Sequence, residues 1–225
     1  MTTLSPFQIF DLVNRQKPLW LVKIDLSAAA LFWVDLSECK LGMANLSRAD
    51  LPWSNLAGAD LRRADLSMAN LFESHLQRAN LTEANLSRAN LTRADLGKAD
   101  LVDAVIVEAN LSRASLSKAT LIRSNLNNSM MTRSDLSKAN LSSANLNGVD
   151  LTNANLFEAN LSGASLRGAN LSRADLTAAN LTQADLSGAN LQGAELVDAN
   201  MDRALLTGAI LADGKRYEET ESITR

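Results

Sequence analysis

The sequence predicts an all-β solenoid, a chain wound into a four-sided coil around an apolar axis. Three observations carry this. From Leu21 to Leu211 an apolar residue falls on every fifth position without a slip, and only Ile106, Met131 and Met201 in that series are not leucine. Two residues before each of them sits a small or apolar residue, most often alanine, and the residue between is most often Asp or Asn, as in Ala44-Asn45-Leu46 and Ala174-Asp175-Leu176. Finally, outward decorations recur every twenty residues: Gly148, Gly168, Gly188 and Gly208; Arg93, Arg113 and Arg133; Lys98, Lys118 and Lys138.

A period of five fits neither ordinary element. Five residues of α-helix advance about 500°, so leucines at that spacing would wander over every face. A flat strand alternates faces with period two, so an odd spacing would expose half of them. The chain must therefore turn once per pentapeptide, with each Leu and the small residue two before it pointing at a common axis. The other three positions face water and are polar, as in Ser47, Arg48 and Asp50 or Thr82, Glu83 and Asn85. The twenty-residue recurrence of decorations makes four sides per coil. About 39 pentapeptides then give about ten coils, rising roughly 4.8 Å each to about 46 Å in all. Asn140, Asn160, Asn180 and Asn200 would stack as a ladder of the kind that stacked β-structure tolerates.

This A-(D/N)-L-x-x pattern resembles the pentapeptide-repeat family over about residues 19–213, in particular its small single-domain cyanobacterial members. The resemblance implies a right-handed quadrilateral β-helix with an inward Leu/Ala core. The family carries no catalytic motif, so no site residue transfers from it.

The ends of a solenoid need covering. Residues 1–18 read as an N-terminal helical cap: Ser5 as N-cap, Pro6 at the first helical position, an apolar face of Phe7, Phe10 and Val13 widened by Ile9 and Leu12, and Pro18 as the stop. The β-helix proper is expected over residues 19–213. Ala212-Asp213-Gly214 reads as a turn, and residues 214–225 form a polar C-terminal tail that either closes loosely over the last coil or is disordered.

Composition narrows the function. With 22 basic against 25 acidic residues the chain is not a general polyanion binder. A single cysteine, Cys39, at an inward position reads as packing, and a single histidine, His75, on the outside makes no zinc cluster. Asp and Asn before each Leu suit turn geometry better than calcium. Paired carboxylates for acid–base catalysis need a cleft, which flat sides do not offer. The expectation is therefore no enzyme, no cofactor and no metal. No signal peptide or transmembrane stretch is visible, which reads as a cytoplasmic chain without a membrane partner. Asn-Leu-Ser/Thr triplets match the glycosylation sequon only as by-products of the repeat.

What remains is surface. The second residue after each Leu forms stripes. Between residues 71 and 140 two adjacent sides carry Arg78, Arg93, Lys98, Arg113, Lys118, Arg133 and Lys138 against Glu73, Asp95 and Asp135. The other two sides carry Arg88 and Arg123 against Glu83, Asp100, Asp103 and Glu108. The rod is polarised across its width, and this basic stripe suits an acidic partner. Trp33 and Trp53 stack on an outward side with Phe32 and Phe72 beside them, either as a partner site or beneath a folded-back N-terminal segment. The leading expectation is a monomeric protein-interaction module whose partner is a regulator or signalling protein. The alternative, known in this family, is a DNA-mimicking rod that binds DNA gyrase or another nucleic-acid-binding protein. Residues 151–213 are only modestly acidic for that role. Nucleic acid itself is not expected, because the stripe lacks the interleaved aromatics that single strands need.

Overall fold

The computed structural model describes Gln8, Asp11, Leu12 and residues 18–218. Its local unit is a β-turn. In each repeat the N–H of the inward residue donates to the carbonyl of the Leu three positions earlier, as from Ala29 to Leu26 (3.1 Å) and Ala114 to Leu111 (3.0 Å). The second residue after each Leu is left-handed, with φ of +59° at Arg48, +59° at Lys118 and +63° at Gly168. A hydrogen-bonded turn with positive φ only at its second central residue is a type II turn, which favours Gly or Asn there. This chain instead places Arg, Lys and Glu at many of these corners, at a cost of about 1–2 kcal/mol per residue relative to glycine. The glycines that the sequence shows as mere decoration are thus the relaxed corners.

A matched pair of variants isolates that strain. A Cβ added at Gly168 would meet nothing within 4 Å, so Gly168→Ala should cost about 1–2 kcal/mol through its backbone alone. Ala178, at φ +55°, stands two sides further along the coil order with no side-chain hydrogen bond to lose, and Ala178→Gly should stabilise by a similar amount, less the chain entropy of glycine. Denaturant midpoints of the two variants should move in opposite directions.

The turns close a coil of twenty residues. The residue before each Leu pairs in parallel with its equivalent twenty residues on, from Trp20 with Lys40 to Asn190 with Ile210. We number the sides by their leucines: side 1 carries Leu21 and Leu41, side 2 Leu26 and Leu46, side 3 Leu31 and Leu51, side 4 Leu36 and Leu56. Backbone bonds run between coils, as from the Leu111 N–H to the Met130 carbonyl (2.7 Å) and from the Met130 N–H to the Ala109 carbonyl (2.9 Å). Asp and Asn at the paired position do two jobs. The carboxyl or amide oxygen accepts the N–H two residues on, as at Asn45 from Ser47 (3.1 Å). Asn amides also donate down the stack, from Asn90 to Asn70 (2.9 Å), Asn160 to Asn140 (3.2 Å) and Asn180 to Asn160 (3.3 Å).

The axis is filled by leucine and alanine, fully buried through most of the rod, with Cys39 among them. Inward serines are satisfied locally: Ser54, Ser74, Ser124 and Ser134 each donate to the carbonyl three residues back. Ser129 differs. Its hydroxyl reaches one coil down to the Ile106 carbonyl (2.5 Å), where β-branched Ile106 leaves the turn bond from Ala109 stretched to 3.4 Å. Near the C-terminal end Leu196, Met201 and Leu206 are only partly buried against the core. There the chain turns at Gly214 (φ +83°) and Arg216 pairs antiparallel with Ile210, so the first residues of the polar tail fold back along side 3. The N-terminal helical cap expected over residues 1–18 lies outside the described residues apart from Gln8, Asp11, Leu12 and Pro18. Gln8, Asp11 and Leu12 are helical, and Leu12 packs against the core.

Candidate interaction surface

Left-handed corners throw their side chains outward, and all seven cations of the stripe are exposed. Arg93, Arg113 and Arg133 end side 3; Arg78, Lys98, Lys118 and Lys138 end side 4. The structure separates them into paired and unpaired. Arg93 bonds Glu73 one coil down (2.8 Å), and Lys138 meets Glu158 one coil up (3.4 Å) while lying 5.9 Å from the Phe157 ring centre. Among the described residues Arg78, Lys98, Arg113, Lys118 and Arg133 make no ion pair. The nearby carboxylates are already engaged. Asp95 accepts the Gly97 N–H (2.9 Å) and the Gln77 amide (2.7 Å), and Asp135 accepts the Ser137 N–H (3.0 Å) and the Asn155 amide (3.1 Å).

Over residues 61–140 every cation of side 1 and side 2 is paired. Arg63 pairs with Glu83 (2.8 Å), Arg88 with Glu108 (2.8 Å) and Arg123 with Asp103 (2.5 Å), each across one coil. The Arg63 guanidinium holds the Glu83 carboxyl below the ordinary glutamate range, and Arg123 does the same for Asp103. The asymmetry legible in the sequence is therefore sharper in the structure: over residues 61–140 sides 1 and 2 pair all their cations, while sides 3 and 4 pair only Arg93 and Lys138.

The aromatic residues form the start of the side 3 stripe. Trp33 stacks on Trp53 with ring centres 5.0 Å apart and planes 13° from parallel, and Phe72 meets Trp53 edge-on at 5.8 Å. The Trp53 indole N–H donates to Glu73 (2.9 Å), the same carboxylate that holds Arg93. Arg93 first and Trp53 second keep the Glu73 carboxyl below its usual range. Trp33 is 69% exposed and Phe32 56%, so the head of this ladder faces solvent. Exposed apolar residues that the sequence analysis did not single out include Trp20, at 77%, and Met130, at 51%. Both occupy the position before the core residue where Asp or Asn is the norm, and that departure was their signal.

A shallow open cavity on side 3 is lined by Thr152, Ser172, Arg173, Asn190, Gln192 and Asp213. Its one carboxylate, Asp213, is held by Lys215 (3.0 Å). Among the described residues no three His, Cys, Asp or Glu side chains converge as metal ligands, and no helix is long and apolar enough to cross a membrane.

With this geometry established, likeness to known proteins identifies the architecture. The sequence matches the description "Pentapeptide repeats" in eight copies, over residues 29–67, 69–106, 109–148, 134–173 and 169–208. No curated protein matches the chain. Among solved structures it is similar to HetL, a pentapeptide repeat protein involved in heterocyst differentiation regulation from the cyanobacterium Nostoc sp. strain PCC 7120, at 33% identity over 96% of this chain and 100% of HetL, with a TM-score of 0.35. It is also similar to alr5209 from Nostoc PCC 7120, at 44% identity over 36% of this chain and 67% of that one, with a TM-score of 0.36. A third likeness is to Rfr23 from the cyanobacterium Cyanothece 51142, at 33% identity over 45% and 58% of the respective chains, with a TM-score of 0.30. The unbroken five-residue register and the family match lead to one conclusion: the chain belongs to the pentapeptide-repeat family of right-handed β-helices, whose members are generally structural or interaction modules.

Proposed function

We propose that this chain is a non-enzymatic, cytoplasmic and monomeric protein-interaction module, and that its basic sides 3 and 4 dock an acidic surface of a protein partner. In this reading residues 1–18 cap a rod of about ten coils over residues 19–213, and residues 214–225 are a tail. The observation that carries the reading is the set of cations on two adjacent sides, Arg78, Lys98, Arg113, Lys118 and Arg133, that make no ion pair among the described residues, on a rod whose other described cations are mostly neutralised in place. Like charges stacked about 5 Å apart repel one another, a cost that an acidic partner removes. A DNA-mimicking rod would need a continuous negative surface, and here the middle of the rod is positive on half its circumference.

Affinity capture from cells of the source organism tests this. The immobilised rod should retain a protein with an acidic surface and release it as salt approaches 1 M, where the Debye length falls to about 3 Å. Retention indifferent to salt, or recovery of nucleic acid in place of protein, would overturn it.

A further inference from the structure

Side 4 between Asp95 and Lys138 is a trough. Its floor is made of short residues, Gly97, Ser115, Ser117 and Ser137 together with Asp95 and Asp135, which sit close to the backbone and are only partly exposed. Each edge is a corner of the solenoid, so each edge carries a row of long side chains ejected by the left-handed turns. Arg113 and Arg133 stand along one edge, Lys98 and Lys118 along the other, with φ between +58° and +60° at all four. None of the four has an ion pair among the described residues, and the two carboxylates in the floor, Asp95 and Asp135, are held by backbone and amide donors. The trough therefore has two cationic rails and no anion free to fill it.

Its dimensions select among acidic occupants. Five extended residues span at most about 18 Å and an α-helix with its side chains is about 10–12 Å across, so the width of a side does not exclude a helix between the rails. Along the axis the cations repeat every 4.8 Å or so, the spacing of adjacent strands. A helix returns to the same flank every 5.4 Å. Over the three steps from Arg78 to Lys138 the mismatch accumulates to about 2 Å, within reach of a flexible lysine. An extended segment presents same-side residues every 6.6–6.8 Å or so, and its mismatch over the same three steps is about 6 Å. The floor, lacking any large side chain, lets a helix backbone approach.

We propose that side 4 seats an acidic α-helix of the partner, lying along the rod axis with carboxylates on both flanks, one row for each rail. This rests on the reading of the basic sides as a protein-docking surface and adds what kind of element docks there.

The probe is a capped 18-residue peptide of Ala and Glu with glutamates on two opposite flanks at helical spacing. It is compared with an isomer of equal charge whose middle is interrupted by proline, and with a short DNA duplex. The helical peptide should bind at least tenfold tighter than the interrupted one. Because both rails are used, Lys98→Glu with Lys118→Glu, and separately Arg113→Glu with Arg133→Glu, should each weaken it at least tenfold. Arg88→Glu with Arg123→Glu, on the other two sides, should leave it unchanged, and circular dichroism should show the same fold in every variant. Equal binding of the two peptides, dependence on only one rail, tighter binding of the duplex, or no binding of the helical peptide would each overturn the helix. The same rail variants used in cellular capture tell the two failures apart. If the rails still govern capture of a cellular protein, only the helix is wrong; if capture ignores them, the docking surface itself is wrong.

Discussion

Replacing Ala109 with leucine should destabilise the rod by about 1–3 kcal/mol, while Ser112→Leu three residues away should change stability by less than about 0.5 kcal/mol. Ala109 is fully buried in a column with Ala89 one coil below and Ser129 one coil above. The extra leucine carbons enter a fully buried column, where they press on the turn with the longest bond, 3.4 Å between Ile106 and Ala109, and on the serine hydroxyl that serves the Ile106 carbonyl. Ser112 lies on the outside of side 3, where its hydroxyl meets Thr132 at 3.1 Å in partial exposure. Denaturant titration of both variants measures the difference. Equal losses would mean that the inward and outward positions are misassigned.

Reversing Arg113, Lys118 and Arg133 to glutamate should weaken capture of the partner by at least about 3 kcal/mol, a hundredfold or more in Kd. All three are exposed corner residues without ion pairs among the described residues, so the change removes three attractive charges, adds three repulsive ones and leaves the core untouched. The matched control, Arg88→Glu with Arg123→Glu, breaks the Glu108 and Asp103 pairs on the other half of the rod. Exposed pairs of this kind contribute little to stability, and binding should survive. A control as damaging as the triple variant would reduce the stripe to an ordinary solvated face.

The fold was legible because the repeat is a geometric statement. Leu at every fifth residue excludes helix and flat strand, and twenty-residue recurrence sets the side count before any coordinates. The turn type was not legible. Arg, Lys and Glu at corners such as Arg48 and Lys118 conceal a left-handed backbone that glycine alone would have advertised. The stripe was legible as a list of charges but not as a pattern of pairing. Glu158, a coil beyond the stretch considered, neutralises Lys138, and whether Asp95 faces Lys98 or Gln77 depends on rotamers that the sequence does not state. The open aromatic ladder was legible as a stack, Trp33 on Trp53, but not its hydrogen-bonded continuation through Glu73 to Arg93, which needs the spacing of one coil to be seen.

The twenty-residue register has a consequence for how such a surface can change. All sides use the same turn, so the core is indifferent to which pentapeptide occupies which side. Loss or gain of a whole coil lengthens or shortens the rod and keeps every stripe aligned. Loss or gain of a single pentapeptide is equally acceptable to the core, yet it rotates everything beyond it by a quarter turn, moving Arg133 and Lys138 to new sides while Arg93 and Lys98 stay where they were. Five residues are thus an angular unit as well as a length, and a lineage of such rods can re-index its binding faces without repacking its interior.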